Sequence, residues 1–176
     1  FGVDTERFKP SGKKDPLVLT VCFQVNASTL IQKGIRTMIE SARSIPEAQF
    51  VINGQVSDDE AMRETRRTAP PNVVFNDKFT SNEELLRLYQ RAQVYVQVSA
   101  HEGFGIANIE AMACGCIPVA TGTTALPEVV GDAGFLVPFN DVAATTDAIR
   151  NALRSPELGK KARARIVEHF TPDTRE

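Results

Sequence analysis

Glu102 and Glu110 stand with seven residues between them around a Gly-rich turn, Glu102-Gly103-Phe104-Gly105-Ile106-Ala107-Asn108-Ile109-Glu110. Two glycines between a strand and a helix let the backbone turn tightly and come close to a ligand. A helix that starts there offers unpaired N–H groups and the positive end of its dipole to an anion. A diphosphate suits that position. Carboxylates repel phosphate oxygens but accept hydrogen bonds from hydroxyls, so two of them beside a diphosphate ask for sugar hydroxyls, and the pattern points to a nucleotide sugar. The same residues also fit a plain turn carrying two solvated glutamates. The block has neither the G-x-x-x-x-G-K-[ST] spacing of a P-loop nor the G-x-G-x-x-G spacing of a dinucleotide site.

Such a turn needs a strand to deliver it and a helix to follow it. Short β-branched or aromatic runs alternate along the chain with longer stretches of helical period, which predicts repeated βα units and a doubly wound, mostly parallel, Rossmann-like α/β sheet. Strands are expected at 17–23, 49–52, 73–75, 94–98, 117–120 and 134–137. Asn53-Gly54 closes the second of them. Ile31, Ile35, Met38, Ile39 and Ala42 place one amphipathic helix over 30–44. Further helices are expected at 58–68, 83–91, 106–114, 126–130, 141–153 and 157–170, the one at 83–91 opened by a capping box of Ser81 and Glu84. Ligands of such sheets bind at the carboxyl ends of the strands, so the loops after Phe23, Ile52, Phe75, Val98 and Ala120 are the places to look.

Composition narrows the function classes. The chain has 176 residues, 42% hydrophobic and 24% charged, the proportions of an ordinary globular domain with a core of its own. A formal charge of −2 excludes a general electrostatic grip on nucleic acid or acidic membranes, so any anion is held locally. Cys22, Cys114 and Cys116 make no disulfide framework and read as reduced thiols, which suggests a cytoplasmic protein. Cys114-Gly115-Cys116 has no second pair and lies far in sequence from His101 and His169, so no metal is expected. No apolar run approaches the ~20 residues of a spanning helix.

At this point the sequence resembles a known family. Glu102 and Glu110, continued by Ala111-Met112-Ala113-Cys114-Gly115, Pro118-Val119 and Leu126-Pro127-Glu128-Val129-Val130-Gly131, are similar to the donor-binding domain of retaining GT-B glycosyltransferases of family four. Val3-Asp4-Thr5-Glu6-Arg7-Phe8 with Pro10 resembles the linker into that domain, Gln32-Lys33-Gly34 its phosphate-binding Lys-Gly, and 133–138 the strand after its short helix. The resemblance covers essentially the whole chain. It divides it into a leading linker, 1–16, and a nucleotide-sugar-binding domain, 17–176, and it places an N-terminal acceptor domain outside this chain. The start at Phe1 and the helix announced by Thr171-Pro172-Asp173 agree with a domain cut from a longer protein.

The resemblance implies transfer of a hexosyl unit from a nucleoside diphosphate sugar to an acceptor hydroxyl with retention, with no cofactor and no metal. Glu102 and Lys33 are the implied catalytic residues, the first on the donor sugar and the second on the phosphates as negative charge grows on the leaving group. Glu110 is implied on the ribose, and the backbone of Gly103, Phe104, Gly105, Ile106 and Ala107 on the diphosphate. Phe75 and the loop after it would hold the base, Gly54 would keep the pocket floor open, and Thr124 would lie near the sugar or diphosphate. The family usually has an Arg shortly before the Lys, where this chain has Gln24-Val25-Asn26-Ala27-Ser28. Phosphate neutralisation then rests on Lys33, helped by Asn26, Ser28 or Thr29. The acceptor, a glycan, lipid or small molecule, would be held by the missing domain, the fragment alone would turn over poorly, and the full-length protein could be peripheral to a membrane. The alternatives are a non-catalytic nucleotide-sugar-binding module of the same fold and a related GT-B enzyme of the epimerase, glycogen synthase or sucrose synthase type.

Overall fold

The described residues, 2–172 of this computed structural model, hold six strands and eight helices, and the helix expected from Thr171-Pro172-Asp173 onward lies outside them. The order is β1 (Asp15–Val25), α1 (Ala27–Gln32), α2 (Ile35–Ala42), β2 (Gln49–Val56), α3 (Glu60–Thr68), β3 (Val73–Asn76), α4 (Asn82–Arg91) and β4 (Ala92–Gln97). Then follow α5 (Ile106–Ala113), β5 (Ile117–Thr121), α6 (Leu126–Val130), β6 (Phe135–Val137), α7 (Val142–Arg154) and α8 (Leu158–His169).

The strands form one sheet in the order β3-β2-β1-β4-β5-β6, every adjacent pair parallel. A parallel sheet is covered on both faces, so its strands read as near-continuous apolar runs whose alternate residues enter different cores. In β4, Val94 and Val96 pack with Met38 of α2 and Ile149 of α7, while Tyr95 between them packs with Tyr89 of α4 and Ala111 of α5. The segment before β1 is also packed: Val3 is buried with Ile109, Ile166 and Phe170, and its N–H donates to Phe170 O at 2.8 Å.

Two expectations are corrected. The single helix over 30–44 is two helices, because Gly34 takes a left-handed φ of +66° and its missing Cβ would lie 2.1 Å from the Val98 carbonyl oxygen. Periodicity of apolar residues survives such a break, so the pattern alone does not reveal it. The second strand does not close at Asn53-Gly54 but runs on to Val56. There β1 has a register shift between Val21 and Gln24, and its backbone comes so near that a Cβ on Gly54 would lie 1.8 Å from Cys22 O. Gly54 thus serves close strand approach.

Candidate functional site

The strand order reverses direction between β1 and β4, the two strands that leave the centre of the sheet on opposite sides. Their outgoing loops diverge and leave a crevice, the switch point at which open α/β sheets bind ligands. A cleft of about 370 Å³ lies there, lined by Thr20, Cys22, Phe23, Gln24 and Thr29 from the β1 side and by Gln97, Ser99, Glu102, Ile106 and Ala107 from the β4 side, with Lys33 between them.

Lys33 is brought to this place by the helix break. It caps α1 at its C-terminal end, Gly34 follows in the left-handed region, and Ala100 N donates to Gln32 O at 2.8 Å, tying the end of α1 to the loop after β4. Its Nζ donates to Glu102 Oε1 at 2.7 Å. Ser99 Oγ donates to the same oxygen at 2.8 Å, and Glu102 N donates to Thr124 Oγ1 at 3.3 Å. The Glu102 side chain is 13% exposed and that of Lys33 38%. Burial is the largest influence on the Glu102 carboxyl and pushes its pKa up, but hydrogen bonds from Lys33, Ser99 and Gln97 together outweigh it and hold the group below its ordinary value. The result is an ionised carboxylate with a cation beside it in the wall of the cleft.

Behind Glu102 the chain enters α5 through Gly105 at φ +70°. Asn108 N and Ile109 N both bond to Gly105 O, so the N–H groups of Ile106 and Ala107 open the helix with no partner earlier in it. A phosphate in the cleft would meet them and Lys33 together. Glu110 lies further along α5, half-buried, accepting from Tyr89 Oη at 3.1 Å. Burial raises its pKa, against smaller lowering influences from Tyr89 and Arg7.

Of the residues singled out from the sequence, Lys33, Glu102, Ile106 and Ala107 line the cleft together. Gly103 is exposed in the turn beside it, with open space where a Cβ would stand. Thr124 is one hydrogen bond from Glu102 and holds a left-handed φ of 53°. The Phe104 side chain turns away and packs edge-on against Phe170, 6.2 Å between centroids, so only its backbone is placed toward the turn. Gly54 lies within β2, close against β1, and lines no part of the cleft. Phe75 lies on the edge strand with the Arg66 guanidinium 5.1 Å above its ring, while Phe79 stands free beside a second hollow with Arg87 and Arg91. Asn26, a candidate phosphate donor, instead caps α1, its Oδ1 accepting from Ser28 N and Thr29 N. Sequence reasoning missed Gln97 and Ser99 as partners of Glu102, and Tyr89 as the partner of Glu110. Polar residues within an otherwise apolar strand end were the available signal for the first two.

Among the described residues no group of three or more His, Cys, Asp or Glu could hold a metal ion, and no helix is long and apolar enough to cross a membrane. The three cysteines are free and buried.

Sheet order and crevice together define a doubly wound, Rossmann-like domain, the architecture of a GT-B C-terminal domain. The C-terminal domain of a glycosyl transferase group 1 family protein from Francisella tularensis superposes with a TM-score of 0.81 at 20% identity, covering 98% of this chain and 100% of that one. Residues 4–169 match the family described as glycosyl transferases group 1, and the chain belongs to that family. It is 30% identical over 182 residues to the MMP alpha-(1->4)-mannosyltransferase of Mycolicibacterium hassiacum, a match over 97% of this chain and 44% of that protein. Sucrose-phosphate synthase from Thermosynechococcus elongatus aligns with a TM-score of 0.80 at 27% identity, over 97% of this chain and 47% of that one. The chain spans less than half the length of these two proteins.

Proposed function

We propose that this chain is the donor-binding domain of a retaining hexosyltransferase, holding a nucleoside diphosphate sugar in the cleft between β1 and β4. The observation that carries the reading is the Lys33 Nζ to Glu102 Oε1 contact of 2.7 Å at the mouth of the α5 N-terminus, which sets a cation, a carboxylate and free N–H groups around one space. Diphosphate takes the N–H groups of the turn from Gly103 to Ala107 and the charge of Lys33. Glu102, held ionised, accepts from hydroxyls of the donor sugar, and Glu110 accepts from the ribose.

In the transfer, the bond between the anomeric carbon and the phosphate oxygen breaks and a bond to the acceptor oxygen forms on the same face. The acceptor proton passes to the leaving phosphate oxygen. Lys33 and the α5 N-terminus stabilise the charge that develops on the leaving diphosphate, an effect strongest where water is excluded. Glu102 orients the sugar and does not attack it. Neither a cofactor nor a divalent cation enters this scheme, so binding persists in EDTA. The acceptor is bound by a further domain outside this chain, and the chain alone binds donor while turning over slowly or not at all.

The test is thermal denaturation with UDP, GDP, ADP and their sugars. Ligand at ~100 times its dissociation constant stabilises by about 2.7 kcal/mol, a rise of about 5–10 °C in melting temperature for a domain of this size. No shift with any nucleotide at millimolar concentration refutes the reading.

A further inference from the structure

We propose that Tyr89 is the positioning residue for Glu110, occupying one carboxylate oxygen so that the other is left to accept from the ribose hydroxyls. The inference rests on the ribose role of Glu110 given above.

Tyr89 stands in the last turn of α4 with no exposed surface, and its hydroxyl donates to Glu110 Oε2 at 3.1 Å. The rest of the residue is fixed from several sides. Its carbonyl oxygen, one of those a helix C-terminus leaves without an internal partner, accepts from Lys14 Nζ at 2.7 Å and from Cys116 Sγ at 3.1 Å. Its ring meets Tyr95 edge-on at 6.0 Å and tilts against Phe8 at 6.4 Å. A phenylalanine would fill the same space among these apolar neighbours without a hydroxyl to satisfy. A fully buried hydroxyl is kept at the cost of needing a partner, and that partner here is the carboxylate on the next helix.

Glu110 needs the restraint because three rotatable bonds separate its carboxylate from α5, and a carboxylate free to turn accepts from a diol poorly. It also needs help to remain ionised. Burial favours its neutral form, the Tyr89 hydrogen bond and the Arg7 charge from the segment before β1 favour the carboxylate, and Tyr95 of β4 and Cys114 at the end of α5 are the other titratable groups that interact with it. A single rigid donor therefore does two things: it restrains the carboxylate through one oxygen and shifts its titration toward the ionised form.

Tyr89→Phe, Glu110→Gln and the double variant separate this from packing. Calorimetric titration uses UDP, GDP and ADP and their 2′,3′-dideoxy counterparts, and the Glu110 carboxyl carbon is titrated by NMR in the free protein. Tyr89→Phe is expected to weaken the tightest-binding nucleoside diphosphate about three- to tenfold, the loss of one hydrogen bond's worth of positioning. It leaves the dideoxy counterpart within about twofold and moves the Glu110 titration to higher pH. The double variant binds no more weakly than Glu110→Gln alone. Equal losses for ribose and dideoxy ligands, or an unmoved Glu110 titration, overturn the positioning role. No binding of any nucleotide by the parent protein overturns the donor reading itself, and the NMR titration still decides what Tyr89 does to Glu110.

Discussion

Replacing Lys33 by methionine keeps most of the side-chain stem and removes the charge that faces Glu102. The magnitude follows from where the pair sits. Exposed ion pairs contribute about 0.2–1 kcal/mol, and stripping the partner from a buried one costs about 3–5 kcal/mol. With Glu102 at 13% exposure and Lys33 at 38%, solvent screens the lysine but not much of the carboxylate. Ser99 and Gln97 still donate to it. The expected loss at pH 7 is about 1–2 kcal/mol, or about 3–6 °C in melting temperature. The sign with pH is also set. The folded carboxyl of Glu102 titrates below its ordinary value, so its stabilisation is present above the unfolded pKa of about 4.3 and is lost as pH falls through the folded value. Melting curves of parent and variant therefore converge only once the pH has fallen below the folded value. Calorimetric titration with the best nucleoside diphosphate reads the other consequence, a loss of roughly 10–100-fold for one hydrogen bond to a charged phosphate. A variant that melts with the parent at pH 7 and binds nucleotide equally well refutes both the structural and the ligand role of Lys33.

Gly34→Ala is expected to destabilise by about 2–4 kcal/mol, since the new Cβ would sit 2.1 Å from Val98 O at a φ of +66°, and to weaken nucleotide binding because Lys33 moves with the break; chemical denaturation with a binding titration checks both. Gly54→Ala lowers stability by a similar amount, its Cβ meeting Cys22 O at 1.8 Å, and any loss of binding should track the shift of β1 seen in amide NMR spectra. Glu110→Gln acts in the opposite sense on stability. The folded Glu110 pKa is raised, so its contribution to stability is fully present below the unfolded pKa and is lost as pH rises through the folded one. The variant is then at least as stable as the parent at pH 7 and loses that advantage near pH 4, as pH-dependent melting will show, while its nucleotide affinity falls.

Much of this architecture can be read from residue types, because strands and helices of a parallel sheet announce themselves by short-range signals. Six apolar runs give six strands, Ser81 and Glu84 make the capping box, and 126–130 is helical as expected. Glu102, Lys33 and the start of α5 are also legible through family resemblance, and they meet in one cleft. Two positions escaped for the same reason. Neither Gly34 inside an amphipathic pattern nor Gly54 at a strand end shows locally why it must be small, but the backbone just after β4 passes within contact distance of the first and that of β1 within contact distance of the second. That distance is set by residues far away in sequence, Val98 and Cys22, and no local pattern carries it.

The sequence by itself determined the βα order, the Gly-rich turn between two glutamates and a near-neutral charge that leaves anion binding to one place. Tertiary structure alone decided which chemistry those residues can share. The crevice exists because the sheet order reverses between β1 and β4, and Lys33 reaches Glu102 because a helix breaks under Val98. Glu110 is held by a tyrosine from a neighbouring helix. The pairs 33 with 102 and 89 with 110 are 69 and 21 residues apart along the chain, and only packing brings them within a hydrogen bond.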